Sequence, residues 1–308
     1  MRIVFFGITQ LAVKALRKLI ADNKKPVTVV VSATNNNDVY NIRLICQEYG
    51  IAVYAFENIN SKEFLEIIKN ELKPDLILTY TFNQKLSDEL INSAKWAINM
   101  HPSLLPHYRG ANPYFWTIAN GEDKTGVTFH FLNNKFDEGD IILQEEIPIY
   151  ERETCGMIMN KQEKIACAML DELFEQLNNN KIIANPQPKG DFPKAPAVDL
   201  KETFIQWHWP VKKIINRIRA LNPFNGALVQ YRHQLVGIYE ATSTSYIYEP
   251  EKDNGTIIRL TSEGPMVKCS DGSLIIRICV VGKKYLLTGA DFIEYEKIKE
   301  GEKFIQSW

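Results

Sequence analysis

In the first half of the chain, continuous apolar runs alternate with segments that are apolar on one side only. "RIVFFG" is a short apolar run ending at Gly7, and "TQLAVKALRKLIADN" after it places Leu11, Ala15, Leu16 and Leu19 at helical spacing. Thr9 stands where a helix N-cap is wanted. "VTVVVSA" reads as a second buried strand, and "NIRLICQEYG" as a helix closed by Gly50. "IAVYAF", "SKEFLEIIKNEL", "PDLILTY" and "AINM" continue the alternation. Strands without a polar face must be covered on both sides. The pattern therefore predicts an α/β fold, a doubly wound and mainly parallel sheet with helices on each face. In such sheets ligands lie beyond the carboxyl ends of the strands.

The second half changes character. After "GVTFHFL" and "DIILQEEIPI", an amphipathic helix runs from about Met157 to Leu177 with Ile165, Met169 and Leu173 on one stripe. "NNNKIIANPQPKGDFPKAPAVD" is rich in Asn, Pro and Lys and has no period, which marks a linker. "PVKKIINRIRAL" predicts one short helix, and from "GALVQYR" onward short alternating runs are broken by turns such as "KDNG" and "SDGS". A chain of 308 residues suits two domains. The boundaries expected are 1–180 for the α/β domain, 181–205 for the linker and 206–308 for a smaller, β-rich, barrel-like domain.

Composition adds exclusions. A hydrophobic fraction of 45% and a charged fraction of 24% are those of an ordinary globular protein. Lysine plus arginine (36) nearly cancel aspartate plus glutamate (37), so there is no global pull toward nucleic acid or anionic membrane. The apolar run at the N-terminus is too short for a signal peptide and no later run is long enough to span a bilayer, which points to the cytoplasm. Five scattered cysteines without a CxxC pair read as reduced thiols rather than a disulfide or zinc framework.

Candidate chemistry concentrates in "INMHPSLLPHYRGANPYFWTI", where Asn99 and His101 sit at a strand end, and in "NNKFDEGDI", which carries Asp137. An amide and an imidazole can both donate to an oxygen that becomes negative during acyl transfer. A carboxylate can orient the imidazole and accept a proton from an attacking amine. On residue pattern alone, a strand-end histidine that only braces structure and a "DEGD" that only turns the chain are the commoner readings. Asp137, Asp140 and His101 show no metal-ligand spacing, and no GxGxxG, GxSxG or phosphate loop is present. Trp207 and Trp209 beside His208 read as packing, with a stacking platform as the alternative.

"NMHPSLLPHYRGANPYFWTIANGEDKTGVTFHFLNNKFDEGDIILQ" closely resembles the signature of the 10-formyltetrahydrofolate-dependent formyltransferases. The match comprises N-x-H-P-S-L-L-P, R-G, T-G-V-T and D-x-G-D in order, and "FIQWHWPVKKIINRIRALNPFNGA" looks like that family's domain junction. The resemblance implies a Rossmann-like catalytic domain followed by a barrel. It puts the catalytic trio on Asn99, His101 and Asp137, with 10-formyltetrahydrofolate as formyl donor and no metal. It further implies direct attack by a substrate amine, with Asn99 and protonated His101 on the oxyanion and Asp137 holding His101 and taking the amine proton. The pterin would lie against "TYTFNQ" and "NNKFD", at Thr81, Phe82, Asn83, Asn134 and Asp137.

Within that family the acceptor is read from two loops. Methionyl-tRNA formyltransferases carry a longer basic loop after the second strand, whereas "SATNNNDVYNI" has no Lys or Arg. "TYTFNQ" is closer to the sugar-nucleotide N-formyltransferases than to an "AYG" turn. From residue 200 onward 15 Lys+Arg face 12 Asp+Glu, a net of +3 and modest for gripping tRNA. The acceptor expected is therefore a nucleotide-linked amino-deoxy sugar for surface polysaccharide, formylated by a cytoplasmic enzyme of a group that is often dimeric. Methionyl-tRNA is the runner-up, and a non-catalytic folate- or nucleotide-binding protein is third. The sugar nucleotide would contact Thr9, Gln10, His107 and Arg109. Arg109 can grip phosphate with two prongs or brace the loop on a backbone carbonyl. No membrane and no nucleic-acid partner are expected on the sugar reading.

Overall fold

The apolar runs form strands β1 (Ile3–Gly7), β2 (Thr28–Ser32), β3 (Ala52–Phe56), β4 (Leu76–Tyr80) and β5 (Trp96–His101) of one sheet, completed by β6 (Lys124–Phe131) and β7 (Ile141–Pro148). The computed structural model describes residues 1–33, 36–244 and 249–305. The sheet order is β3-β2-β1-β4-β5-β6-β7. Strand order reverses between β1 and β4, which creates a crevice at their carboxyl ends. The first five strands pair in parallel. Strand β6 runs antiparallel to β5 and β7 antiparallel to β6, the second because the connection 132–140 is too short for a crossover.

Helices α1 (Gln10–Ala21), α2 (Asn37–Glu48), α3 (Lys62–Ile67), α4 (Asp88–Ile91), α5 (Pro113–Ala119) and α6 (Cys155–Asn178) fall between or after these strands. Asn36 caps α2 by accepting from the Val39 amide, and Ser61 caps α3 by accepting from Phe64. Thr9 occupies the N-cap position of α1 but makes no capping bond, and its hydroxyl pairs with that of Thr81 instead. Phe6, Phe64, Ile77 and Leu90 form part of a fully buried core on one side of the sheet. Burying each such side chain contributes about 1.5–3 kcal/mol. Along α6 the buried line runs Ile158, Gln162, Ala166 and Leu170, leaving Ile165 and Met169 half-buried beside it. A polar residue can join that line because Gln162 donates to Pro102 O (2.8 Å) and Gly126 O (2.9 Å).

Residues Met1–Pro113, Lys124–Pro148 and Met159–Pro196 make one compact unit, and Tyr114–Asp123, Ile149–Ile158 and Ala197–Trp308 make a second. The non-periodic stretch before Pro196 is extended and tied down. Asn185 exchanges backbone hydrogen bonds with Ile141 (2.8 and 2.9 Å), and Pro193 O and the Ala195 amide bond the backbone of Tyr108 and Arg109 (2.6 and 2.8 Å).

The second unit contains α7 (Val211–Leu221), β8 (Ala227–Tyr231), β9 (Gln234–Thr244), β10 (Ile257–Thr261), β11 (Gly264–Lys268), β12 (Ser273–Val281), β13 (Tyr285–Thr288), α8 (Gly289–Glu296) and β14 (Phe304–Ile305). Its antiparallel sheet runs β10-β11-β12-β9-β8-β14, with β13 on β12. A bridge between Thr256 and Lys303 joins the two ends of that order, which curls the sheet into a barrel. Helix α8 is an addition to the sequence pattern, capped by Thr288 on the Asp291 amide. All five cysteines are free, and burial pushes the Cys155, Cys269 and Cys279 thiols up to about 12. Among the described residues no helix is long and apolar enough to cross a membrane.

Candidate active site

Register on three neighbouring strands builds the site. Thr79 on β4 stands beside Asn99 on β5, and Asn99 stands opposite His130 on β6. Opposed residues on adjacent strands bring their side chains within reach of one another. The Thr79 hydroxyl donates to Asn99 Oδ1 at 2.6 Å, and Asn99 Nδ2 lies 3.1 Å from His130 Nε2. His130 Nδ1 donates to Phe131 O at 2.8 Å, which leaves Nε2 as the acceptor for the Asn99 amide. Two residues beyond Asn99, and on the same side of the strand, His101 is 4% exposed.

Asp137 completes the group from the turn between β6 and β7. Its Oδ2 accepts from the Gly110 amide at 3.0 Å and lies 3.6 Å from His101 Nδ1, while Oδ1 lies 3.5 Å from Asn99 Nδ2 and 3.6 Å from His130 Nε2. Asp137 has φ of 54°, in the left-handed region. Such backbone typically costs about 1–3 kcal/mol and persists only where its surroundings hold it. Gly139 explains the D-x-G-D spacing: a Cβ there would come within 1.7 Å of Phe131 O. Gly110 has φ of 123° and approaches Ala195 O so closely that a Cβ would lie 2.5 Å from it.

Electrostatics sort the protons. Burial alone would raise the Asp137 carboxyl, but the Gly110 amide and any positive charge on His101 or His130 hold it well below the usual carboxylate range. Burial lowers His101 below its ordinary value, and the opposing pull of Asp137 and the Tyr108 carbonyl offsets this only in part. His101 Nε2 donates to Tyr108 O at 2.9 Å, so Nδ1 is the nitrogen left to exchange a proton with Asp137. The arrangement joins an ionised carboxylate, a neutral imidazole and an oriented amide donor, which suits acyl transfer to an amine.

A small slot of about 60 Å³ opens beside this group, and its lining includes Thr79, Asn99 and Asp137 together with Phe82, Leu86 and Leu132. Of the loop residues expected to meet a pterin, Phe82 and Asp137 line the slot, and Thr81 is joined to Thr9 beside it. Asn83 and Asn134 are exposed and outside its lining, where Asn133 stands instead. Thr9, Gln10, His107 and Arg109 do not line the slot. His107 is exposed with its ring 4.9 Å from Phe192, and Arg109 is bound to Gln187 Oε1 (2.6 and 3.1 Å) and Glu138 (3.5 Å). Arg109 thus meets a side-chain amide and a carboxylate, rather than the backbone carbonyl expected of a loop brace.

Larger cavities lie within the second unit, around Lys212, Asn216 and Arg219, and contain none of these groups. Sequence reasoning passed over Thr79, His130 and Gln187. For His130 a signal existed, since Thr128 and His130 are polar at alternate positions among the apolar Val127, Phe129 and Phe131. Among the described residues no cluster of three or more His, Cys, Asp or Glu forms that could hold a metal ion.

Comparison with known proteins places this geometry. A family described as formyl transferase matches residues 1–172, and one described as formyl transferase, C-terminal domain, matches residues 198–296. The chain is 32% identical over 310 residues to a methionyl-tRNA formyltransferase of Clostridioides difficile, covering 98% of this chain and 99% of that one. A methionyl-tRNA formyltransferase of Ruminiclostridium cellulolyticum is 29% identical with the same coverage. Among solved structures, the N-formyltransferase of Helicobacter canadensis in complex with folinic acid and dTDP-3-aminofucose has a TM-score of 0.64 at 20% identity, over 90% of this chain and 98% of that one. HypX of Aquifex aeolicus in complex with tetrahydrofolic acid has a TM-score of 0.65 at 19% identity, over all of this chain and 49% of that one.

These relatives correct the expected acceptor. The end-to-end matches at about 30% identity are methionyl-tRNA formyltransferases, whereas the sugar formyltransferase shares the fold at lower identity. The sugar reading rested on a loop after β2 without Lys or Arg, of which residues 34 and 35 lie outside the described residues, on one turn after β4, and on a net charge of only +3 from residue 200 onward. Surface loops are where relatives vary most, so two of them weigh less than the whole chain.

Proposed function

The chain belongs to the formyl transferase family, and we propose that it carries the formyl group of 10-formyltetrahydrofolate to the amino group of methionyl-tRNA. The observation that carries this reading is the match to methionyl-tRNA formyltransferases over 98% of the chain, through both family domains. A reaction on charged tRNA belongs in the cytoplasm.

10-Formyltetrahydrofolate supplies, when bound, a formyl carbon open to attack by an amine. The slot is too small for the whole donor, but its lining fits one end of it: Phe82, Leu86 and Leu132 are apolar, and Asn99 and Asp137 bring polar groups beside them. Asn99, its carbonyl held by Thr79, presents the amide hydrogen that His130 does not take where an oxygen gains charge. A donor so placed is worth about 3–4 kcal/mol of transition-state stabilisation. Asp137 takes the proton that the attacking amine loses and shares it with His101 Nδ1, and the pair would return it to the donor nitrogen that leaves as its bond to the formyl carbon breaks, while Tyr108 O keeps the ring in place through Nε2. In this reading Asn99 faces the developing charge and His101 works through Asp137, rather than standing protonated on the oxyanion as the resemblance implies.

The test is a purified-protein assay in which 10-formyltetrahydrofolate consumption is followed as aminoacylated initiator tRNA is added. Consumption should match the methionyl-tRNA supplied and be absent with uncharged tRNA. Equal consumption with both would remove the amine acceptor from this reading.

A further inference from the structure

Gln187 lies in the stretch whose composition suggests a passive linker, yet its side-chain amide bridges both loops of the site. Nε2 donates to the carbonyl of Asp137 at 2.7 Å and to that of Gly139 at 2.8 Å. Oε1 accepts from Arg109 Nε at 3.1 Å and from Nη2. Arginine only donates and backbone carbonyls only accept, so one orientation of the amide satisfies every partner, and all of its hydrogen-bonding capacity is used. The two carbonyls flank the left-handed turn at Asp137, and the Arg109 loop carries the Gly110 amide that binds Asp137 Oδ2 at 3.0 Å.

We propose that Gln187 is a positioning residue for formyl transfer, which fixes the carboxylate of Asp137 by clamping its backbone and the Arg109–Gly110 loop to one side chain. This deepens the reading above and rests on Asp137 as the proton acceptor. Gln187 acts through Asp137 and touches no reacting atom.

The experiment compares Gln187→Ala, Gln187→Glu, Asp137→Asn and the double variant Gln187→Ala/Asp137→Asn, each checked by thermal melting. Misplacement of a reacting group by about 1 Å can cost a hundredfold in rate. Gln187→Ala should lose kcat on that scale with KM for both substrates little changed. Gln187→Glu keeps a partner for Arg109 but loses both donors, so it should fail equally. Arg109 bracing alone would leave Gln187→Glu active and overturn the proposal. The double variant should be no slower than Asp137→Asn, because residues acting as a unit are not additive. Additive losses would also overturn it.

A readout independent of turnover is the His101 titration followed by NMR of the free protein. Asp137, His130, Arg109 and the Tyr108 carbonyl face that ring. Loosening Asp137 in Gln187→Ala should move the midpoint down toward that of Asp137→Asn, and an unmoved midpoint contradicts the proposal. Full turnover by Asp137→Asn would instead refute the underlying reading of Asp137, whatever the Gln187 variants do.

Discussion

Asn99 Nδ2 lies 3.1 Å from His130 Nε2 because the two residues stand opposite each other on β5 and β6. His130, 1% exposed and anchored through Nδ1 on Phe131 O, has one free lone pair to offer, and it faces the Asn99 amide. With Thr79 on the other side, the amide has a single orientation. Asn99→Ala should lower kcat by a few hundredfold, the equivalent of about 3–4 kcal/mol. His130→Ala should cost roughly tenfold, about 1.4 kcal/mol, by loosening that amide. Steady-state kinetics of both variants check this ranking, and a His130→Ala enzyme slower than Asn99→Ala would reverse it.

Asp137 is held ionised by the Gly110 amide and by any positive charge on His101 or His130 against the pull of burial. Asp137→Ala and His101→Ala should each nearly abolish transfer. The Asn99, His101 and Asp137 losses together should fall far short of their sum. Single-turnover rates of the single and combined variants measure this.

Much of this architecture was legible along the chain. A strand buried on both faces has to be apolar throughout, and α1 and α6 show their stripes locally, so the parallel sheet and its helices could be read from the sequence. The place of Asn99 and His101 at a strand end followed from the same alternation. Gln187 could not be found this way, since its partners are 48 to 78 positions distant and its neighbours show no period. Thr9 misled for a related reason: a helix start predicts capping, but a hydroxyl takes whatever partner the fold brings, here Thr81. The acceptor was misread because it depends on surface loops, where no packing constraint leaves a signature.

Gly110 has no room for a side chain, with Ala195 O 2.5 Å from where a Cβ would stand, and its φ of 123° suits glycine. Its amide also binds Asp137. Gly110→Ala should therefore lose both stability, by about 1–3 kcal/mol, and activity. Thermal melting and kcat on the folded fraction separate the two, and a variant with unchanged melting temperature would show that the loop can yield.

Glu302 offers a pH test in the second unit. Burial raises its carboxyl, but hydrogen bonds from Tyr231 Oη (2.7 Å), Arg232 Nη2 (2.7 Å) and the Lys299 amide (2.8 Å) outweigh it and lower it from 4.5 to about 2. The folded value lies below the unfolded one, so the contribution to stability is complete above pH 4.5 and fades as pH falls toward about 2. Glu302→Gln should melt below the parent protein at pH 7, and the gap should close across that window. A gap that widens on acidification would show the opposite sign.

The identity of the acceptor is tested most directly by offering the purified protein 10-formyltetrahydrofolate with methionyl-tRNA and, in parallel, a panel of amino-sugar nucleotides. Formylmethionyl-tRNA should accumulate, and the sugar nucleotides should remain unformylated. Its formation should also weaken as salt rises, because contacts with tRNA phosphates release counterions. Turnover of a sugar nucleotide with methionyl-tRNA untouched would contradict the account.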